Sequence, residues 1–197
     1  MTSKSRDGRL RIVAGNWRSR LLEIADVPGL RPTSERIRET LFNWLAPRID
    51  GARCLDLFAG TGALGLEALS RGAKHCVFVE KSELAVQVLR DNARSLEAKG
   101  AEIIHGDARS YLRDLTDEWF DIVFLDPPFS TDLQGDFCEQ LAVRPILSTD
   151  ARVYIEESRV SEDTVLPSGW EYLKSKAAGN VRYSLVKAGY PTKGSES

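Results

Sequence analysis

An open α/β fold, in which helices cover both faces of a largely parallel sheet, is the architecture that this sequence predicts. From residue 52 onward, short apolar runs that suit buried strands alternate with longer runs of helical periodicity. This alternation is typical of a parallel sheet covered on both sides. Two strand-like runs near the C-terminus are separated only by residues 177–180, and they predict a closing hairpin with an antiparallel strand.

The individual elements follow in a regular order. Five buried strands are predicted over ARCLDLF, HCVFVE, AEIIHGD, FDIVFLD and ARVYIEE. Helices are predicted between them over GALGLEALSRG, SELAVQVLRDNARSLEAKG, ARSYLRDL and DFCEQLAVRPIL. Gly72 and Gly100 supply the stop signals of the first two helices. The closing hairpin, WEYLKSK and VRYSLVKA, brings the sheet to seven strands.

A different pattern precedes this region. RLRIVAGNWRSRLLEI predicts a β-hairpin that turns near Gly15 and Asn16. RPTSERIRETLFNWLAP predicts a helix that Thr33 or Ser34 caps and Pro47 ends. We therefore divide the chain into a basic hairpin extension (1–30), an α/β domain (31–190) and a disordered tail (191–197).

Composition excludes several classes of protein. The 197 residues are 42% hydrophobic, and no apolar run approaches the roughly 20 residues of a membrane-spanning helix. Three cysteines at distant positions and two histidines without ligand spacing argue against a disulfide framework or a metal site. We expect a cytoplasmic monomer with no metal and no membrane partner.

Charge is distributed unevenly along the chain. Residues 1–48 contain ten Lys and Arg against five Asp and Glu, whereas the remainder contains 17 against 24. A basic N-terminal part on an acidic body suggests contact with a polyanion on one face. The alternative is an arm whose arginines only keep it soluble, and charge alone favours neither reading.

The stretch from Gly60 to Gly65, GTGALG, matches the dinucleotide fingerprint G-x-G-x-x-G. Asp56 precedes it by four residues, and a carboxylate there would repel a pyrophosphate at the helix N-terminus. S-adenosylmethionine instead carries a sulfonium and an ammonium, which a carboxylate favours. The loop therefore indicates S-adenosylmethionine as the cofactor.

Acids also end the next two predicted strands. Glu80 is placed to accept hydrogen bonds from ribose hydroxyls, and Asp107 from the adenine amino group beside the Ala108 amide. The alternatives are a solvent-exposed strand end for Glu80 and a helix cap for Asp107. Three acids at the ends of three successive strands favour the cofactor reading. The full predicted cofactor set is Asp56, Phe58, Gly60, Gly62, Glu80, Lys81, Asp107 and Ala108.

DPPF, residues 126–129, directly follows the fourth predicted strand. The prolines fix the backbone, so the Pro127 carbonyl has a set direction. Together with the Asp126 carboxylate it can hold both hydrogens of an exocyclic amine, while Phe129 stacks on the base for about 1–3 kcal/mol. The alternative is an ordinary Asp-Pro turn. We predict that Asp126, Pro127, Pro128 and Phe129 are catalytic.

DPPF resembles the [D/N/S]-P-P-[F/Y/W] motif of amino-methyltransferases. In this order and spacing, RPTSERIRETLFNWLAP, LDLFAGTGALGLEALSRGA and FLDPPF resemble the bacterial 16S ribosomal RNA guanine-N2 methyltransferases of the small-subunit methyltransferase D family. The resemblance covers nearly the whole chain. It implies a Rossmann-like class I S-adenosylmethionine-dependent methyltransferase fold, and a guanine N2 substrate in 16S rRNA of the assembling small ribosomal subunit.

Arginines of the N-terminal part are the candidates for RNA phosphate contacts. They are Arg9, Arg11, Arg18, Arg20, Arg31, Arg36 and Arg38. For Arg36 and Arg38, an ion pair within the protein is nearly as plausible a reading.

Three other functions compete with this one. A DNA adenine-N6 methyltransferase would share the DPPF chemistry, but only about fifty N-terminal residues are spare for reading a DNA groove. A dinucleotide-dependent oxidoreductase is opposed by Asp56 and leaves DPPF without a role. A non-catalytic RNA-binding module is opposed by the intact motif.

Overall fold

The computed structural model describes residues 8–30, 32–116, 119–128 and 133–189. Within them the strands are β1 Arg9–Arg11, β2 Leu21–Glu23, β3 Arg53–Asp56, β4 His75–Glu80, β5 Ala101–His105, β6 Phe120–Leu125, β7 Leu147–Ser158, β8 Glu171–Ala178 and β9 Val181–Lys187. The helices are α1 Glu35–Leu45, α2 Ala63–Ser70, α3 Glu83–Ser95, α4 Ala108–Asp114 and α5 Gln134–Ala142.

Seven strands form one sheet in the order β5-β4-β3-β6-β7-β9-β8. The first five run parallel, whereas β9 pairs antiparallel with both β7 and β8. The order of the strands reverses between β3 and β6, and ligands of such sheets bind at this switch point, beyond the carboxyl ends of the strands. The predicted α/β fold class and the closing hairpin are confirmed.

Helices pack on both faces of the sheet. One hydrophobic cluster joins α1, α2 and α3 to the strands, for example through Phe42, Leu66 and Leu89. The other joins α4 and α5 to the opposite face through Leu112 and Phe137. Because both faces are covered, β6 is buried along nearly its whole length, which explains why its sequence is a continuous apolar run rather than an alternating one.

The structure corrects one boundary. The fourth predicted helix extended to Leu147, but α5 ends at Ala142 and β7 already begins at Leu147. Pro145 lacks a backbone N–H and disfavours helical backbone in the residue before it, so the helix cannot continue through this segment. The added strand residues pair with β6 through an irregularity between Phe120 and Ile122.

The N-terminal hairpin shares the hydrophobic core of the α/β domain. Leu10, Ile12 and Leu22 are buried in the same cluster as α1 and α2. The boundary predicted at residue 30 therefore separates two segments that pack together. Among the described residues, no helix is long and apolar enough to cross a membrane.

The turn of the hairpin lies against the C-terminal end of α2. The Asn16 N–H donates to the Ser70 carbonyl at 2.7 Å, and the Ser70 hydroxyl donates to the Ala14 carbonyl at 2.6 Å. Gly15 has φ +83°, and a Cβ at this position would lie 1.9 Å from the Ser70 oxygen. A glycine is therefore required here both for backbone conformation and for close approach.

A buried carboxylate fixes the hairpin to the helices. Glu67 of α2 accepts from the backbone N–H groups of Val13 and Ala14 at 2.8 and 3.0 Å. It also pairs with Arg38 of α1 at 3.0 Å and with Arg71 at 2.7 Å. Because four donors converge on one fully buried side chain, the burial of its charge is compensated.

We expect Glu67→Ala to lower the free energy of unfolding by about 3–5 kcal/mol, because it leaves the Arg38 guanidinium buried without its carboxylate. Urea denaturation followed by circular dichroism measures the loss. Glu39→Ala, on the exposed side of α1, is the matched control and should change stability by less than about 0.5 kcal/mol. Equal effects of the two substitutions would contradict the role of Glu67.

Candidate active site

Acidic side chains gather at the carboxyl edge of the parallel strands. Asp56 ends β3, Glu80 ends β4, and Asp126 directly follows β6. Asp56 is paired in register with Phe78 of β4 and with Phe124 of β6. Asp107 lies just beyond the neighbouring β5. The structure therefore brings the predicted acids of four strands to one edge, where the strand order reverses.

The glycine-rich loop connects β3 to α2 by a tight turn. The Gly62 N–H donates to the Ala59 carbonyl at 2.7 Å, and Gly62 has φ +86° at the N-terminus of α2. A Cβ at Gly62 would lie 2.4 Å from the Leu89 side chain. The glycine is thus required by the turn and by the packing of α3, apart from any ligand.

Asp56 lies under this loop and is almost fully buried, with 2% of its surface exposed. Its Oδ2 accepts from the Gly65 N–H at 3.1 Å. Burial raises the pKa of Asp56 to about 7, and the charge of Glu80 adds to the rise, although the backbone hydrogen bonds from Gly65 and Phe58 oppose it. A cation beside Asp56 would favour the carboxylate, whereas a phosphate would oppose it.

Glu80 ties the end of β4 to the glycine loop. One carboxylate oxygen accepts from the Gly60 N–H at 2.8 Å and the other from the Ser82 N–H at 2.7 Å. Each oxygen keeps a second lone pair, so the carboxylate can still accept from ribose hydroxyls. Lys81 is exposed beside it.

Asp107 acts as the N-cap of α4. Its Oδ1 accepts from the Arg109 and Ser110 N–H groups at 3.0 and 3.1 Å, as the helix-cap reading anticipated. Ala108 is buried at the start of this helix. Phe58, on the loop after β3, packs edge-on against Phe137 with ring centres 5.1 Å apart. Contact of these residues with adenine or ribose stays a prediction.

Asp126 faces the segment that precedes α1. The Thr33 hydroxyl donates to Asp126 Oδ2 at 3.3 Å. Burial raises the pKa of Asp126 well above its usual value, and the charges of Glu156 and Asp56 raise it further. Pro127 is buried and Pro128 exposed, while Phe129 lies outside the described residues.

Two residues that the sequence reasoning missed complete this cluster. Glu156 of β7 is only 4% exposed, and Tyr154 donates its hydroxyl to Glu156 Oε2 at 2.6 Å. Burial raises the pKa of Glu156. A signal was present in the sequence, because ARVYIEE also ends in acids at the carboxyl end of a predicted strand.

Most of the predicted RNA-binding arginines are on the surface. Exposed positions among them are Arg9, Arg11, Arg18, Arg20 and Arg36. Arg9 pairs with Glu23 at 2.7 Å, and Arg20 donates to the Ser95 carbonyl at 2.8 Å. Arg31 lies outside the described residues.

The structure contradicts the predicted RNA contact of Arg38. Its side chain has no exposed surface and donates to the Thr33 carbonyl, the Glu67 carboxylate and the Arg11 carbonyl at 3.2, 3.0 and 2.7 Å. A guanidinium with three internal acceptors and no exposure cannot contact an RNA phosphate. The sequence prediction for Arg38 was wrong because its partner is 29 residues away on α2.

The hairpin turn lies away from the acidic edge. Contacts with Ser70 and Ser95 place it at the C-terminal ends of α2 and α3, about one α2 length, roughly 12 Å, from the glycine loop. Arg18 and Arg20 therefore lie well to the side of Asp126, and a ligand that reaches both must be large.

Comparison with known proteins identifies the family. The model of a family described as conserved hypothetical protein 95 matches residues 10–187. Ribosomal RNA small subunit methyltransferase D of Escherichia coli (strain K12) is 42% identical over 93% of this chain and 92% of its own length. The chain belongs to the ribosomal RNA small subunit methyltransferase D family. The predicted resemblance is thereby confirmed.

Solved structures agree with this assignment. A putative methyltransferase, yhhF, from Escherichia coli has a TM-score of 0.85 and 39% identity, over 92% of this chain and 99% of that one. SMU.776, a putative methyltransferase complexed with SAH, has a TM-score of 0.72 over 95% of this chain and 58% of that one. At 15% identity the second likeness concerns the fold alone, which is that of the class I methyltransferases.

We expect S-adenosylhomocysteine to bind more tightly as pH rises from 5.5 to 7, by up to tenfold per pH unit. The reason is that the ligand's ammonium selects the ionised form of Asp56, whose pKa is about 7. Asp56→Asn should weaken binding and remove this pH dependence. Isothermal titration calorimetry at several pH values measures both effects.

Asp121→Asn is the control, because Asp121 accepts from the Arg53 N–H at the opposite end of the strands. It should bind with the wild-type pH dependence. Wild-type affinity that is flat between pH 5.5 and 7 would contradict the role of Asp56.

Proposed function

We propose that this protein transfers the methyl group of S-adenosylmethionine to the exocyclic N2 amine of a guanine in 16S rRNA of the assembling small ribosomal subunit. The observation that carries the proposal is the position of Asp126, Pro127 and Pro128 at the carboxyl end of β6, next to the acid-lined glycine loop of β3. Family membership supports methyl transfer to small-subunit rRNA. The choice of guanine N2 rests on the family resemblance, because DPPF suits either amine.

The cofactor would lie over β3, β4 and β5. Asp56 faces its positively charged groups, Glu80 its ribose and Asp107 its adenine. Among the described residues no Lys or Arg is paired with Asp56 or Glu80, whose partners are backbone N–H groups. The negative charge of these carboxylates is therefore available to a cationic ligand. S-adenosylmethionine supplies an electrophilic methyl group on sulfur.

The protein's part in the reaction is mainly to position the amine. The lone pair of the guanine amine is conjugated into the ring and is poorly nucleophilic. Asp126 and the Pro127 carbonyl hold its two hydrogens, which draws the nitrogen towards tetrahedral geometry and aims the lone pair at the methyl carbon. The N–C bond would form as the C–S bond breaks, and the electron pair of the C–S bond would go to the sulfur, which leaves neutral and needs no acid. The methylated amine would then release its extra proton to Asp126 or to water.

The target base must be unstacked to reach this edge of the sheet. In this proposal the exposed arginines of the hairpin and of α1 would hold the surrounding RNA by its phosphates. Because the hairpin is packed against α1 and α2, it presents a fixed surface rather than a loose arm. This arrangement favours a substrate of defined shape, such as an RNA–protein particle, over groove reading along DNA.

We expect Asp126→Ala to lower kcat by at least about a hundredfold, while S-adenosylhomocysteine binding changes little. The assay supplies labelled S-adenosylmethionine with unmethylated small-subunit particles, naked 16S RNA and double-stranded DNA, and separates the nucleosides after digestion. Label should appear in N2-methylguanosine. Asp121→Asn is the control.

Other products of this assay would change the proposal. Label in N6-methyladenine from DNA would keep the mechanism and replace the substrate. Cofactor binding with no label in any nucleoside would favour a binding module without catalysis. An Asp126→Ala variant with near wild-type activity would mean that the amine pocket lies elsewhere.

We expect charge reversal at Arg18 and Arg20 to weaken particle binding and to flatten its salt dependence by up to about one unit of slope per lost phosphate contact. Binding is measured by filter retention at several salt concentrations, and thermal melting checks that the fold is intact. Lys174→Glu with Lys176→Glu, on the exposed edge strand β8, is the matched control. An unchanged salt slope would remove the hairpin turn from the interface.

A further inference from the structure

Glu156 lies beside the proposed catalytic acid. β6 and β7 run parallel, with Leu125 opposite Ile155, so Asp126 and Glu156 are the next residues on adjacent strands. Neighbouring strands lie about 4.8 Å apart. Phe124 and Tyr154 are paired, and their side chains pack with the helices on the α1 face of the sheet. Asp126 and Glu156 come two residues later on the same strands, so they point to the same face. The two carboxyl groups therefore lie side by side.

Each acid has a hydroxyl donor of its own. Thr33 donates to Asp126 Oδ2 at 3.3 Å, and Tyr154 donates to Glu156 Oε2 at 2.6 Å. A neutral hydroxyl does not cancel the charge of a carboxylate, so two ionised acids this close together would repel each other. One proton held between the two carboxyl groups removes that repulsion.

The groups around the pair supply little positive charge that could stabilise two neighbouring carboxylates. The groups that face the pair are Asp56 from β3, Tyr154 from β7, Tyr183 from β9 and Thr33 before α1. Arg38, on the same side, is occupied by Glu67 and by backbone carbonyls. No ion pair of Asp126 or Glu156 with a Lys or Arg is formed within the described part of the chain.

We propose that Glu156 is a positioning residue of the methyl-transfer site. Glu156 shares one proton with Asp126, and it thereby sets the charge and orientation of the Asp126 carboxylate that receives the target amine. The proposal rests on the proposed function. Before transfer the pair carries one negative charge. As the N–C bond forms and the C–S bond breaks, the proton lost from the amine goes to the pair, which becomes neutral and later returns that proton to water.

The shared proton is supported by the surroundings of the two acids. Burial raises the pKa of both, and the charge of Glu156 raises the pKa of Asp126 further. The effect of removing the Glu156 carboxyl group has a definite sign. Because the ionised carboxylate is the form that receives the amine, the acidic limb of the kcat profile reports the first ionisation of the pair, from neutral to one negative charge. Protonated Glu156 donates to the Asp126 carboxylate and lowers the pKa of this first step, whereas repulsion raises the pKa of the second. Without the Glu156 carboxyl group, the rise of kcat with pH should therefore move to higher pH.

Glu156→Gln tests this inference, since an amide keeps the shape of the side chain and can still accept from Tyr154. We expect the acidic limb of the kcat profile to shift up by about half a pH unit or more. The maximal kcat should stay within about threefold of the wild-type value, and KM for the particle should be unchanged. Glu156→Ala should lower maximal kcat by more than about tenfold, because Asp126 then lacks a neighbour to hold it.

Glu157→Gln is the matched control. Glu157 is the next residue of β7, is also buried, and pairs with Arg182 at 2.9 Å, on the opposite face of the sheet. It should leave the acidic limb in place. Thermal melting of each variant separates loss of fold from loss of positioning.

A second measurement does not depend on turnover. Carbon-13 NMR of labelled Asp and Glu carboxyl groups, assigned with Asp126→Asn, follows the titration of Asp126 directly. A shared proton makes Asp126 titrate in two steps, which should become a single step in Glu156→Gln and remain two steps in Glu157→Gln. An unchanged titration curve, an unshifted acidic limb, or equal loss of kcat in Glu156→Gln and Glu156→Ala would each overturn the inference.

A failure of the proposed function can be distinguished from a failure of this inference. It appears in the wild-type protein as label in another nucleoside or as no label. The carboxyl titration still decides whether Glu156 and Asp126 share a proton.

Discussion

The buried carboxylate of Glu67 is the interaction on which the arrangement of the N-terminal part depends. It accepts from the hairpin backbone, from Arg38 of α1 and from Arg71 of its own helix. Arg38 in turn holds the Thr33 carbonyl, and the Thr33 hydroxyl reaches Asp126. A continuous set of polar contacts thus joins the basic hairpin to the acid edge of the sheet. Removing a charge from the middle of such a buried set costs more than removing an exposed pair.

The acid edge of the sheet is negatively charged, whereas the hairpin is basic. Asp56, Asp126 and Glu156 lie near the ends of neighbouring strands, and burial raises the pKa of each. Like charges crowded at low dielectric are unfavourable by themselves. Such strain is typical of sites that bind a cation or handle a proton, and the proposed reaction does both, since it brings in a sulfonium and releases a proton from an amine.

Much of this arrangement could be predicted from local patterns. The alternation of apolar runs fixes strand and helix types because both faces of a parallel sheet must be covered. Acids at strand ends indicate the ligand edge because parallel strands end at the same side. The predicted end of α5 was wrong, although Pro145 indicated where the helix had to stop. The apolar residues on both sides of that proline continue a helical pattern, and the prediction followed them.

The sequence by itself determined the fold class, the switch point with its glycine loop, and the position of residues 126–128 at the end of a strand, since each of these follows from near neighbours in the chain. The catalytic role of those residues stays a prediction. Only the tertiary structure decided that Arg38 is an internal ion-pair partner rather than an RNA contact, and that Glu156 stands beside Asp126. Both outcomes depend on which distant segments pack together, 29 residues apart for Arg38 with Glu67 and across the β6–β7 register for the two acids. Side-chain type shows that a charge needs a partner, but packing selects which one it finds.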